Sequence, residues 1–444
     1  MLEQPHFGRR LKRLRLARGL SQAGLVGEGM STGYLSRLES GERRPTERAV
    51  SYLAGRLGVD TSALIAPADG RSLTGVLAAV TSAPPGTDET AALSRAVEED
   101  TGEDPAARWQ ALWLLSRAAG RDGDYEEEHT RLRELVALSD LLAAPDLRAR
   151  SLVAYARCTR ALGDLRTAEP AAVEALSIAR ASGLSVSDTL AALMVLISVE
   201  TELGRREAAG RHVEEMERDL LPRAAPAQAA EALWTAAVVS SRQGDDPAAR
   251  ARLDRARGLL RGQDDLSPWT RLRAAATAAL QTSPPRVAPA ERWLAEAASV
   301  LDLVGTPLQL QELRALQAHL AFHQGRLDDA RALTRALLST QDLRLAYRDR
   351  VRLSVLEGRL MILAGRTDEG AAALRRLGAQ VTESGHPDLA AHIRQALATS
   401  LADVASPGRC GSGTAPASGC DDGPWISYLP TDWKQRGRSN GCSD

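Results

Sequence analysis

Leu20 to Pro45 runs LSQAGLVGEGMSTGYLSRLESGERRP, and its spacing predicts two short helices joined by a tight corner. Ser21 is a good N-cap for a run from Gln22 to Gly27, because its hydroxyl can accept an otherwise unpaired backbone N–H of the first turn. Gly27 and Gly29 are expected to supply the corner, where a positive φ is needed. Ser31 then caps a second helix, Thr32 to Glu39, which Ser40-Gly41 terminates. On that helix Leu35 and Leu38 form an i, i+3 pair facing inward, while Thr32, Gly33, Ser36 and Arg37 face outward. A short helix held by its apolar side, with small and hydrogen-bonding residues outward, suits a DNA major groove. The plain alternative is an ordinary helical hairpin.

Working outward, Phe7, Leu11 and Leu14 are spaced for the buried face of a helix over Phe7–Arg18. Thr46 caps a fourth helix with a core stripe of Ala49, Val50, Leu53 and Leu57, and Glu47 stands near the positive end of its dipole. Thr61 to Ile65 completes the domain. RLKRLRLARGLSQ, YLSRLESGERRP and GVDTSALI together resemble the lambda-repressor-like, or Xre, helix-turn-helix family over residues 7–65. That resemblance implies a five-helix DNA-binding head. It also singles out Arg15 and Glu39 as an ion pair tying helix one to the end of helix three. An exposed pair of that kind is worth only about 0–1 kcal/mol. The corner after helix two is about one residue shorter than the family's common pattern, so base contacts carry over less directly than the fold. From the helix faces, Thr32, Gly33 and Arg37 are expected at base edges. Gln22, Tyr34, Ser40, Arg43 and Arg44 are expected at phosphates, from the start of helix two and the loop after helix three.

Charge points the same way. Residues 1–60 hold eleven Lys/Arg against six Asp/Glu, whereas the other residues hold 45 against 51. A basic head on a mildly acidic body fits a polyanion bound at one end. Aromatics are only 3% of the chain, and the abundance of leucine, alanine and arginine favours helix over strand. No apolar run is long enough to span a bilayer, and the N-terminus lacks the charged and apolar regions of a secretory signal. Four cysteines without paired spacing argue against a disulfide scaffold. The expectation is a cytoplasmic protein.

The body is periodic. Gly123, Gly163, Gly204, Gly244, Gly325 and Gly365 lie 40 or 41 residues apart with one double gap, and Pro285 stands where the missing glycine belongs. Five residues after each comes a small residue, namely Ala168, Ala209, Ala249, Ala290, Ala330 and Gly370 for all but the first. An apolar helix precedes each turn and another follows it. Such a unit cannot bury its own face and must stack on its neighbours as a solenoid. GDLRTA at Gly163–Ala168 and GRLDDA at Gly325–Ala330 resemble the turn of tetratricopeptide repeats, although the period exceeds their usual 34. The expected layout is a head at 1–65, a linker at 66–71, about eight tetratricopeptide-like units at 72–404 and a disordered tail at 405–444. The tail's Trp425, Tyr428 and Trp433 leave open a segment that docks on a partner.

Catalytic patterns are missing. His319 and His323 have a metal-compatible i, i+4 spacing, but Leu320 stands where a zinc protease needs glutamate. They read as packing or surface residues. Cys158 fits a helical stripe, and Cys410 and Cys420 are too far apart for a zinc knuckle. No phosphate loop or nucleophile elbow occurs. The expectation is therefore an all-α, non-enzymatic protein without cofactor or metal. Its architecture resembles the peptide-sensing helix-turn-helix regulators of Gram-positive bacteria, which implies double-stranded DNA as a partner. It also implies a homodimer and a peptide or other effector in the repeat groove. The alternative is an interaction scaffold that sequesters a protein partner through its repeats, against which the basic head argues.

Overall fold

The computed structural model describes residues 6–27, 29–61, 64, 72–83, 90–100, 104–259 and 285–405, and every regular element within them is helical. In the head, α1 (His6–Ala17), α2 (Gln22–Leu25), α3 (Thr32–Glu39) and α4 (Glu47–Leu57) enclose one core. It is built from Phe7, Leu11, Leu25, Leu35, Leu38, Val50, Leu53 and Leu57. The three expected caps form. Ser21 Oγ accepts the Gly24 N–H at 3.0 Å, Ser31 Oγ the Tyr34 N–H at 3.1 Å and Thr46 Oγ1 the Ala49 N–H at 3.2 Å. Two details differ from expectation. Helix α2 stops at Leu25, because Val26 is already extended at φ −81°, ψ 159°. Of the two corner glycines only Gly29 takes a positive φ, +99°. Gly27 serves instead to leave room, since a Cβ there would stand 3.0 Å from the Tyr52 hydroxyl. Most of the fifth helix falls outside the described residues, but Leu64 is helical and 1% exposed in the head core.

Two compact units make up the chain, Met1–Glu103 and Asp104–Asp444. The hairpin of α5 (Leu73–Ser82) and α6 (Thr90–Glu99) groups with the first unit. The linker at 66–71 and all but the first residue of the tail at 405–444 lie outside the described residues.

The array alternates first and second helices of hairpins. These are α7 (Pro105–Asp122) with α8 (Tyr125–Leu142), α9 (Pro145–Leu162) with α10 (Leu165–Ala181), α11 (Val186–Glu202) with α12 (Arg206–Glu215), and α13 (Pro226–Gln243) with α14 (Asp246–Leu259). Beyond 260–284, which is not described, come α15 (Val287–Val304), α16 (Pro307–His323) with α17 (Leu327–Leu338), α18 (Tyr347–Leu363) with α19 (Thr367–Glu383), and α20 (Pro387–Ala405). The period has a mechanical cause. Each of the six repeat glycines takes a positive φ, from +73° at Gly204 to +91° at Gly163, which is the left-handed C-cap that reverses the chain after a helix. The small residue five positions on sits where helices cross. Ala168, Ala209, Ala290 and Ala330 are 0% exposed, and a Cβ on Gly370 would lie 2.6 Å from the Gly358 carbonyl oxygen. Pro285 precedes the start of α15 as the glycines precede their second helices.

First helices far apart in sequence also meet. Helix α7 touches α16, α9 touches α18, and α11 touches α20, although the members of each pair begin about 200 residues apart. Along this seam Arg344 Nη1 donates to the Asp122 carbonyl at 2.8 Å, and His386 Nε2 bonds the Gly163 carbonyl at 2.8 Å. The Tyr347 ring lies against Gly163, where a Cβ would stand 2.6 Å from Cγ of that ring.

Candidate nucleic-acid interface

Leu35 and Leu38 are 0% exposed and anchor one side of α3. That leaves Thr32, Gly33, Ser36 and Arg37 exposed on the other. The end of the helix is fixed by a buried polar cluster. Arg15 Nε donates to Glu39 Oε1 at 2.7 Å and Arg15 Nη2 to Glu39 Oε2 at 2.9 Å, while Arg15 Nη1 reaches the Leu20 carbonyl at 2.7 Å. Both side chains are nearly sequestered, with Arg15 6% and Glu39 7% exposed. The hydrogen bond to Glu39 raises Arg15 above the ordinary guanidinium range, against the opposing effect of burial. A bidentate pair in this setting fixes orientation as well as charge.

Gln22 joins this cluster. Its amide Nε2 donates to Glu39 Oε2 at 2.8 Å, so its side chain braces α3, and what it can offer a phosphate is its backbone N–H in the first turn of α2. The remaining candidates lie on one surface. Arg37 Nε bonds the Gly33 carbonyl at 3.2 Å, which aligns the side chain along its own helix with the terminal nitrogens beyond. The Arg43 guanidinium lies 4.9 Å from the centre of the Tyr34 ring, and the Arg43 N–H bonds the Arg37 carbonyl at 3.1 Å. The loop after α3 is thereby folded back beside it. Ser40 and Arg44 are exposed on that loop and Tyr34 is half-buried. No Cβ on Gly33 would meet anything within 4 Å, so a partner backbone can approach α3 closely there.

Two supporting residues have no local signature in the sequence. A Cβ on Gly8 would stand 2.0 Å from the Leu38 carbonyl oxygen, so only glycine lets α1 lie against the end of α3. Arg56 reaches from α4 to the last carbonyls of α2, with Nε to Leu25 at 3.1 Å and Nη2 to Gly24 at 3.0 Å. It adds side-chain donors to the last carbonyls of α2, beyond the Val26 N–H that caps the Gln22 carbonyl. Elsewhere, His319 and His323 face packing partners. Burial, with Arg352 next in effect, pushes His319 down to about 3, and His323 meets the Phe322 ring edge-on at 5.5 Å. Among the described residues no cluster of three His, Cys, Asp or Glu could hold a metal ion, and no helix is long and apolar enough to cross a membrane.

Residues 6–66 match the family model of a helix-turn-helix domain, which identifies the head. No curated protein matches the chain. Among solved structures, the chain is similar to a tetratricopeptide repeat protein from Parabacteroides merdae, at 17% identity over 66% of this chain and 98% of that one, with a TM-score of 0.37. It is similar to a Rap protein complexed with competence and sporulation factor, at 12% identity over 90% and 99%, with a TM-score of 0.49. A third is Bacillus thuringiensis PlcR in complex with the peptide PapR7 and DNA, at 16% identity over 57% and 93%, with a TM-score of 0.30.

Proposed function

We propose that the chain is a sequence-specific DNA-binding transcriptional regulator whose helical array dimerises it and senses an effector. The observation that carries this is α3: its apolar side is locked in the head core, its end is pinned by the Arg15–Glu39–Gln22 cluster, and its outer side is polar and open. In this reading Thr32, Gly33 and Arg37 face base edges, and Arg37 reads guanine O6 and N7 with its fork. Tyr34, Ser40, Arg43, Arg44 and the Gln22 backbone hold phosphates. The protein works in the cytoplasm as a homodimer, without catalysis and without cofactor. PlcR was crystallised with the peptide PapR7 and DNA, and we extend to this chain a peptide or other effector bound by the array.

Selection of bound sites from randomised duplexes by the full-length protein tests the reading. It predicts a two-fold site with half-sites about one helical turn apart and an affinity that falls steeply with salt. Arg37→Ala is expected to cost about 1–3 kcal/mol and to relax one base position in each half-site. Replacing Arg43 and Arg44 is expected to weaken all sequences alike. Recovery of no preferred sequence would refute the proposal.

A further inference from the structure

The first helices of the array turn charge toward one another across the seam. Glu202, at the end of α11 and 5% exposed, takes Arg160 Nη1 at 2.8 Å and lies 3.6 Å from Arg348 Nη1 of α18. Asp388, in the first turn of α20, lies 3.1 Å from Arg242 Nη1 of α13 and also pairs with Arg348. Three guanidinium groups thus share two carboxylates. Arg352 adds a further cation, 3.7 Å from Asp349. Donors are in excess as well: Arg160 Nε and Arg348 Nε and Nη1 are buried without a hydrogen-bond acceptor, and Arg242 Nη1, although ion-paired with Asp388, is not aligned to donate to it, a costly arrangement for charged groups. Burial, reinforced by the charge of Arg348, pushes Arg242 down to about 9 despite the nearby Asp388. It remains a cation at neutral pH. Beside it lies a cavity of about 370 Å³, bounded by Thr201, Arg206, Arg242, Gln243, Pro387 and Asp388.

We propose that this cavity binds a small carboxylate-bearing ligand, whose carboxylate takes the donors of Arg242. Asp388 shows that a carboxylate fits between Arg242 and Arg348, and the planar fork of arginine matches that group in two hydrogen bonds. The surplus of one cation over the two carboxylates is the charge such a ligand neutralises. Its position gives binding a structural consequence. Arg242 lies on α13 and Asp388 on α20, on opposite sides of the seam, so a ligand that replaces Asp388 on Arg242 loosens it. Only this consequence rests on the sensing role proposed above; binding itself stands apart from DNA.

Calorimetric titration of the full-length protein without DNA, at ionic strength held constant with chloride, uses succinate and trialanine with a free or an amidated C-terminus. Saturable binding of a free carboxylate is expected, with about a tenfold or greater loss in Arg242→Gln. A several-fold gain is expected in Asp388→Asn, which removes the internal competitor. Succinate alone binding would mark the ligand as a free acid, and trialanine binding only with its free terminus would mark it as a peptide end. If Arg242→Gln fails to fold, the Asp388→Asn gain decides. No saturable binding by the wild type and Asp388→Asn, equal binding of the amidated peptide, or unchanged affinity in both variants overturns the site. Repeating the titration by operator affinity separates the two claims: ligand binding without any change in DNA affinity contradicts the sensing role and leaves the site standing.

Discussion

Glu39 is the residue on which the head's interface depends, because both of its oxygens are occupied and little solvent reaches them. Removing one partner leaves the other buried and unpaired, so Glu39→Ala should cost the head about 3–5 kcal/mol. The double variant with Arg15→Ala should lose less than the two singles summed. Strict additivity in denaturant unfolding would show that the groups do not interact. The glycines divide in a testable way. Gly8→Ala drives a methyl into the Leu38 carbonyl and should cost about 1–3 kcal/mol through displaced backbone. Gly33→Ala meets open space and should hold or raise stability, by up to about 1 kcal/mol from helix propensity, while weakening DNA binding. Unchanged binding by Gly33→Ala would remove that position from the interface. The Arg15–Glu39 pair was legible in the sequence because it travels with a family motif. Gly8 and Arg56 were not, since a glycine forced by another helix 30 residues away looks like any other. The Gln22 bond to Glu39 was not legible either, because a side chain reaching across the head leaves no mark on local spacing.

At the scale of elements, the 40-residue period was legible because each hairpin must solve the same turn with a left-handed residue, and glycine does so without strain. The seam was not legible. It joins helices beginning at 105 and 307, 145 and 347, and 186 and 387, and no short-range pattern encodes such pairs. The glycines again give the test. Gly163→Ala and Gly325→Ala both force alanine into positive φ, at +91° and +76°, at about 1–2 kcal/mol each. Only at Gly163 does the new methyl also meet the Tyr347 ring, since nothing lies within 4 Å at Gly325. The first variant should therefore be the less stable in denaturant unfolding of the full chain. Equal losses would show that the seam contributes nothing there.

For the whole molecule, partly buried titratable groups in the array set a pH dependence. Burial, with Arg352 next, pushes His319 down to about 3. Folding with a depressed histidine is most favourable above its unfolded value of about 6.5, and that stability is lost as pH falls through the folded value. Burial raises Glu128 to about 7, which has the opposite sign: its contribution is complete below the unfolded value of about 4.3 and disappears as pH rises through 7. The two groups act in opposite directions between pH 7 and 4, so Glu128→Gln should make stability fall more steeply over that range and should stabilise the chain at pH 8. An unchanged pH profile in Glu128→Gln would contradict the burial of Glu128.

The central claim joins the two units in function: a head of few contacts needs a second head, and the array is what brings it. It is tested most directly by the affinity for the selected two-fold site of the full-length protein and of a fragment spanning residues 1–103, each with its mass in solution. The account predicts a dimeric full-length protein that binds at least about a hundredfold more tightly than a monomeric fragment, both preferring the same half-site. A monomeric full-length protein that binds no better than the fragment, or binds every sequence equally, would contradict it.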